Sequence, residues 1–182
     1  MYGMINRAVK DLVLQDHGQE VWTRVCTEAG LESDEFGSME QYPDETTYSL
    51  VGACSRILGA SAEEILIAFG RHWITYTSRS GYGELLTATG SSLGECLGNL
   101  DQLHTRISLG MPHLNPPSFR VEEDGEGGLL LHYISDREGL APLVIGLVEG
   151  LAERFEERVE IIHDEGRTRA QDHDVFRIEK VA

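Results

Sequence analysis

Three groups of residues in this chain have the chemical scope to bind or react. His104 shares one helical face with Leu97, Leu100 and Ile107, at three- and four-residue spacing, so its imidazole faces an apolar surface and must find a polar partner or a metal there. Alone, a histidine so placed is more often a hydrogen-bonded core residue than a ligand. Tyr133, Ser135 and Arg137 alternate within HYISDRE, and in a strand alternate residues share a face. A phenol, a hydroxyl and a guanidinium converging in this way suit a paired carboxylate ligand, because arginine binds carboxylate in a bidentate fork while hydroxyls satisfy the remaining lone pairs. A polar outer sheet face accounts for the same pattern. The third group is His163, Asp164 and Glu165 with Asp172, His173 and Asp174, where paired strands would bring carboxylates and imidazoles together as for zinc or another divalent ion. A solvated acidic hairpin is the simpler reading.

The elements that position these groups are legible from periodicity. Ile5, Ala8, Val9, Leu12 and Val13 fall on one helical face and Val21, Trp22, Val25 and Ala29 on another, predicting two short packed helices. A third runs between Asp44 and Gly59. Ser61 with Glu64 forms a capping box opening a helix with Ile65, Leu66, Phe69, Trp73 and Tyr76 on its apolar side; Ser92 with Glu95 forms a second box, opening the helix that carries His104. Pro112, Pro116 and Pro117 stop helical periodicity at MPHLNPPSF. Beyond them SFRVE and GLLLHYIS read as strands around the EEDGEGG turn, and RVEIIHD and DVFRIEK as two more. Between the hairpins lies an amphipathic helix with Pro142 in its first turn and Leu143, Val144, Leu147, Val148, Leu151 and Phe155 along it. Pro142, Gly146 and Gly150 leave a bare seam on that helix, open to another backbone or a flat ligand, with helix-to-sheet packing as the plainer use.

Composition bounds the function. The 182 residues, 41% of them hydrophobic, suffice for one domain with its own core, and no internal repeat or flexible linker divides them. Asp and Glu number 31 against 15 Lys and Arg; the resulting charge of −16, without a basic patch, argues against nucleic acid as a partner. Cys26, Cys54 and Cys96 are far apart and odd in number, which suits a reducing compartment. Neither a signal peptide nor a run of about 18 apolar residues is present, so no membrane association and a cytoplasmic location are expected.

With these residues in place, the chain resembles the heme-nitric oxide/oxygen binding (H-NOX) family, whose mammalian relatives form the sensor region of soluble guanylate cyclase. The likeness runs through MYGMINRA, LIAFGRHWITYTS, NLDQLHTRI, NPPSF, LHYISDREGLAP, GLVEGLAERF and DHDVFRI. It implies an α+β fold: a helical lobe, then a helix carrying the heme ligand and a four-stranded antiparallel sheet in ββαββ order. Residues 1–182 would form a single heme-binding domain, the helical distal lobe covering 1–60 and the ligand helix and sheet lobe 61–182.

The resemblance implies one heme b per chain, with His104 as proximal ligand and Tyr133, Ser135 and Arg137 holding the propionates. Pro117 matches a proline pressing on the ring, and Ile5 an aliphatic residue packed beside it. Oxygen-binding members carry a distal tyrosine where Pro142 or Leu143 stands here, and a polar distal residue where Trp73 stands. The ligands implied are nitric oxide and carbon monoxide, with little stable oxygen binding. Ligand binding opposite His104 would weaken the iron-histidine bond and let its helix shift, so the chain would be a switch and not an enzyme. With no effector domain after the last strand, output would pass in trans to a histidine kinase or a cyclic-di-GMP enzyme, either diguanylate cyclase or phosphodiesterase, as in bacterial stand-alone sensors. Some relatives hold zinc near the C-terminus through cysteines; here Glu138 follows Arg137 where some place one. Two other function classes stand beside this reading: a metal-dependent enzyme using His163 and His173, and a heme-free apolar-ligand carrier or adaptor.

Overall fold

The computed structural model describes residues 1–111, 113–125, 127–166 and 172–181, with Glu165 by its backbone alone. Pro112, Glu126 and the Glu165 side chain, singled out above, lie outside the described residues. The first half of the chain is helical. α1 (Gly3–Glu28) buries Ala8, Val9 and Val13, then breaks at Gly18, whose φ of 82° and ψ of 178° interrupt the helix before Trp22 and Val25 are buried in turn. The two short helices expected are therefore the halves of one kinked element, because glycine adopts that φ without a side-chain clash. Buried Trp22 donates its indole N–H to Asp34 (3.0 Å), whose carboxylate also accepts from Lys10 (2.8 Å).

α2 (Asp44–Leu58) ends on Gly59 in the left-handed region. α3 (Ala62–Arg79) starts at a complete capping box: Ser61 Oγ accepts from the Glu64 N–H at 3.1 Å, and the Glu64 carboxylate accepts from the Ser61 N–H at 2.7 Å. After the short α4 (Gly83–Thr87), which sequence periodicity did not reveal, come α5 (Leu93–Gly98) and α6 (Leu100–Ser108). Here the structure corrects an expectation of one continuous helix. Asn99 takes φ −105° and ψ 5°, outside the helical region, and its side-chain amide is held by the Thr89 carbonyl ten residues earlier at 2.8 Å. The second capping box is only half made. Ser92 Oγ accepts from the Glu95 N–H (3.3 Å), but the Glu95 carboxylate turns to the Ser91 N–H (2.9 Å).

The second half is β1 (Ser118–Glu123), β2 (Leu129–Ile134), α7 (Ala141–Arg154), β3 (Val159–Glu165) and β4 (Asp174–Lys180), an antiparallel sheet in the order β1-β2-β4-β3. The expected ββαββ order and the α+β class stand. Alternation turns Phe119, Leu131, Tyr133, Phe176 and Ile178 to the buried face, in one core with Val144, Val148 and Leu151 of α7. No helix among the described residues is long and apolar enough to cross a membrane.

The small-residue seam on α7 receives neither sheet nor flat ligand. It receives α3. A Cβ on Gly146 would collide with the Ile67 carbonyl, one on Gly70 with the Leu143 carbonyl, and one on Gly150 would press on Arg71. Gly146→Ala should therefore cost about 1–3 kcal/mol by overpacking. Gly98→Ala, where an added Cβ meets nothing within 4 Å, should be neutral or slightly stabilising. Thermal unfolding of the pair checks this; equal shifts would mean that the helices separate at no cost.

Candidate functional site

α6 carries His104 with an apolar face of Leu100, Leu103 and Ile107, yet none of its residues is fully buried. The reason is a cavity of about 310 Å³ against that face, large enough for a small-molecule ligand and mostly apolar in its walls. Every wall comes from a different element: Ile5 from α1, Trp73 from α3, His104 from α6, Phe119 from β1, Tyr133 from β2 and Leu143 from α7.

His104 Nδ1 lies 3.1 Å from the Pro117 carbonyl oxygen. A carbonyl can only accept, so Nδ1 carries the proton and donates it, which leaves Nε2 with its lone pair. Burial holds His104 below the ordinary imidazole range, against the opposing pull of the Pro117 carbonyl and of Asp101. The site thus favours a neutral imidazole with Nε2 unprotonated, the form that ligates a metal. Asp101, one turn earlier, accepts from the Phe119 N–H and from Ser118 Oγ, both at 2.7 Å, and so ties α6 to the start of β1. Along the wall the rings of His104, Phe119 and Tyr133 follow one another at 5.9 and 5.5 Å.

Tyr133, Ser135 and Arg137 do come together on the cavity wall, but not as residues of one strand. β2 stops at Ile134, and Ser135 and Arg137 belong to the loop after it. What turns them inward is local bonding: Ser135 Oγ accepts from the Arg137 N–H at 3.1 Å and is hydrogen-bonded to the Tyr133 phenol, whose pKa is raised by burial and lowered by that bond. The guanidinium is held from outside. Arg137 Nε donates to Asp44 at 2.7 Å and Nη1 to the Asn115 carbonyl at 2.8 Å. Burial raises the Asp44 pKa, but hydrogen bonds from the Met1 ammonium (2.6 Å) and from Arg137 outweigh it and hold the carboxyl below its usual range.

Pro117, Trp73, Ile5 and Leu143 all line the cavity; Pro142 does not. One residue apart on a helix is about 100° of rotation, so with Leu143 and Leu147 turned inward Pro142 sits at the first turn of α7, off the wall. Leu143 therefore takes the cavity-facing place left open between the two. On the α3 wall the Thr77 hydroxyl is spent on the Trp73 carbonyl (2.7 Å), which leaves the Trp73 indole N–H as the donor of that wall beside it.

The acidic hairpin does not gather its histidines. His163 pairs with Asp174 (3.0 Å) and stacks on Phe176, whereas His173 pairs with Asp172 (2.7 Å) and faces His132. Among the described residues no three His, Cys, Asp or Glu side chains converge to hold a metal. Among the described residues, His163 and His173 therefore do not meet in one centre. Asp44 and Asp101 are the residues that sequence reasoning missed; each looks like an ordinary helix-start acid, and their partners, Arg137 and the β1 backbone, lie far along the chain.

A family model described as Haem-NO-binding matches residues 2–163. The soluble guanylate cyclase gcy-32 of Caenorhabditis elegans is 35% identical over 176 residues, 95% of this chain and 26% of that protein. The soluble guanylate cyclase subunit beta-2 of Rattus norvegicus is 44% identical over 93 residues, 51% of this chain and 14% of that protein. The chain spans about a quarter of the length of the first curated relatives it matches. Among solved structures, the Fe(II) unliganded H-NOX protein from K. algicida superposes with a TM-score of 0.85 at 26% identity, covering 100% of this chain and 97% of that one. The S. oneidensis H-NOX protein in the Fe(II)NO state superposes at 0.89 with 20% identity and covers both chains fully, a likeness of fold.

Asp44 sets a pH dependence with a definite sign. Its folded pKa lies below the unfolded one, so its stabilising contribution is complete above the ordinary carboxylate range and is lost as pH falls through the folded value. Asp44→Asn should flatten the acid limb of unfolding free energy against pH; a limb as steep as in the parent would assign that limb to other carboxylates.

Proposed function

The chain belongs to the heme-NO-binding (H-NOX) family of heme-based gas-sensor domains, and on that premise we propose that His104 is the proximal ligand of a heme b whose propionates rest on Tyr133, Ser135 and Arg137. One observation carries this reading: a buried imidazole with Nδ1–H committed to the Pro117 carbonyl, on the wall of an apolar cavity that also displays a phenol, a hydroxyl and a guanidinium. The donor set fits the group. Iron takes an imidazole nitrogen lone pair, propionates take charge-assisted hydrogen bonds, and Ile5, Pro117 and Leu143 offer apolar contact to a ring. A heme held there by His104, Tyr133, Ser135 and Arg137 would supply a ferrous centre able to bind a diatomic gas.

The chain's own residues set the selectivity and the output. Leu143 offers no hydrogen bond from α7 and the Thr77 hydroxyl is already donated to the backbone, so on these two walls a bound oxygen would have only the Trp73 indole N–H to stabilise its polar complex, and no hydroxyl. Nitric oxide and carbon monoxide need no donor. α6, with no fully buried residue and a short list of tethers, is the element free to respond when the pull on His104 changes. The proposed readers of that response are a histidine kinase or a cyclic-di-GMP enzyme, with the chain itself a switch and not a catalyst.

Purified with adequate heme supply, the protein should be coloured; a colourless product that cannot be reconstituted would favour the heme-free carrier or adaptor. His104→Gly should lose heme or keep it only with added imidazole, and a normal five-coordinate ferrous spectrum in that variant would assign the ligand elsewhere. In air, the ferrous protein should respond to nitric oxide and carbon monoxide while oxygen leaves its spectrum unchanged. A lasting oxygen-dependent spectrum that disappears in Trp73→Phe would transfer the donor role to the indole. Hydrogen exchange should find α6 weakly protected without heme and distinctly slower with it, since the ring supplies the packing that this helix lacks.

A further inference from the structure

We propose that His113 holds one of the two propionates of the bound heme and leaves Arg137 to hold the other, an inference that rests on the heme reading above. Two ionised arms bring two negative charges to the mouth of one cavity, and each is stabilised by a cationic donor of its own. The walls offer few. Among the described residues that line the cavity, only the Met1 ammonium and the side chains of His104, His113 and Arg137 can carry a positive charge. The Met1 ammonium donates to Asp44 and to the Tyr42 carbonyl, both at 2.6 Å. His104 has Nδ1 on the Pro117 carbonyl and Nε2 for the iron. Two cations are left.

Arg137 serves one arm and no more. Of its five N–H groups, Nε donates to Asp44 at 2.7 Å and one on Nη1 to the Asn115 carbonyl at 2.8 Å, which leaves a single fork, between the two terminal nitrogens, for a carboxylate. Its charge is already shared with Asp44. Asp136 and Glu138, exposed on either side of it in the chain, add negative charge to the same rim.

His113 is placed and uncommitted. Its carbonyl accepts from Gln41 Nε2 at 3.2 Å and its N–H donates to the Tyr2 hydroxyl at 3.4 Å, so the backbone is held from both sides. The imidazole itself makes no hydrogen bond, ion pair or ring contact among the described residues. It stands exposed on the cavity rim, where the charged arms of an otherwise apolar ligand stay in reach of water. Two residues separate it from Asn115, whose carbonyl holds Arg137, a span of at most about 7 Å along the chain. Two neighbouring cations on one loop thus face two arms on one edge of a ring.

The test is the rate at which the heme-loaded protein gives up its heme to an apomyoglobin scavenger. His113→Ala should speed the loss about two- to fivefold, the range of an exposed charge pair. His113→Lys should stay near the parent, and His113→Glu should lose heme faster than His113→Ala. Because the two cations hold different arms, the effects of His113→Ala and Arg137→Gln should multiply in the double variant. Heme dimethyl ester, whose arms carry no charge, separates binding from packing: loaded with it, all three variants at position 113 should lose the ring at one rate. A His113→Ala protein that keeps heme as long as the parent, an order among the variants that does not follow charge, or the same order with the ester overturns the proposal. So does a double variant no faster than Arg137→Gln alone. A parent protein that takes up no heme overturns the heme reading itself, and this inference with it.

Discussion

A buried imidazole needs a use for both nitrogens, and that requirement organises this molecule. Leaving either nitrogen in an apolar site without a partner costs on the order of 1–3 kcal/mol. His104 meets half of the requirement by donating Nδ1–H to the Pro117 carbonyl. That bond brings the Pro-Pro segment against α6, sets where β1 begins, and through β1 places Phe119 beside Tyr133 on the same wall. The second nitrogen is left to the cavity. A fold that spent both nitrogens on the protein would pack more simply; this one holds a lone pair ready and burial keeps it unprotonated.

The two sides of the cavity are built to different standards of rigidity. α3 and α7 approach so closely, through Gly70, Gly146 and Gly150, that backbone meets backbone, and interlocked helices of this kind do not slide without losing contacts across their whole length. α6 is the opposite case. Its apolar residues are all half-buried, it is cut from α5 at Asn99, and Leu100, Leu103 and Ile107 reach the core only from its margin, alongside a few polar bonds. A ligand in the cavity therefore pushes against one stiff wall and one compliant one. Motion follows compliance.

Much of this was legible in the sequence, for reasons that also explain what was not. Helical spacing placed His104 on an apolar face, and the ββαββ order followed from alternation and turn residues, because both depend on local periodicity. Ser135 and Arg137 share the cavity wall with Tyr133, as alternation suggests, but not through a strand: a side-chain bond from the Arg137 N–H to Ser135 Oγ turns the loop inward. Pro142 and Leu143 were indistinguishable until the rotation of α7 was known. The capping box at Ser92 failed because Ser91 competes for the same glutamate, a choice between adjacent residues that a motif cannot express. Asp44 and Asp101 were invisible as site residues, since their partners are brought near only by the tertiary fold.

The position of Asp101 has a consequence for how α6 can move. Hydrogen bonds to a charged group contribute about 1.5–3 kcal/mol each, and Asp101 holds two, to Ser118 and to the Phe119 N–H, at the first turn of the helix. A translation of the whole helix would break both together with the His104 to Pro117 bond. A rotation about the Asp101 anchor keeps those two and strains only the one. At the far end of the helix Ile107 packs on Tyr2, Met4 and Met111, while Leu109, just past it, is 87% exposed. A change of a few kcal/mol at His104, the scale needed to redistribute two conformations, is thus better matched to a swing about Asp101 than to a sliding of α6 along the sheet.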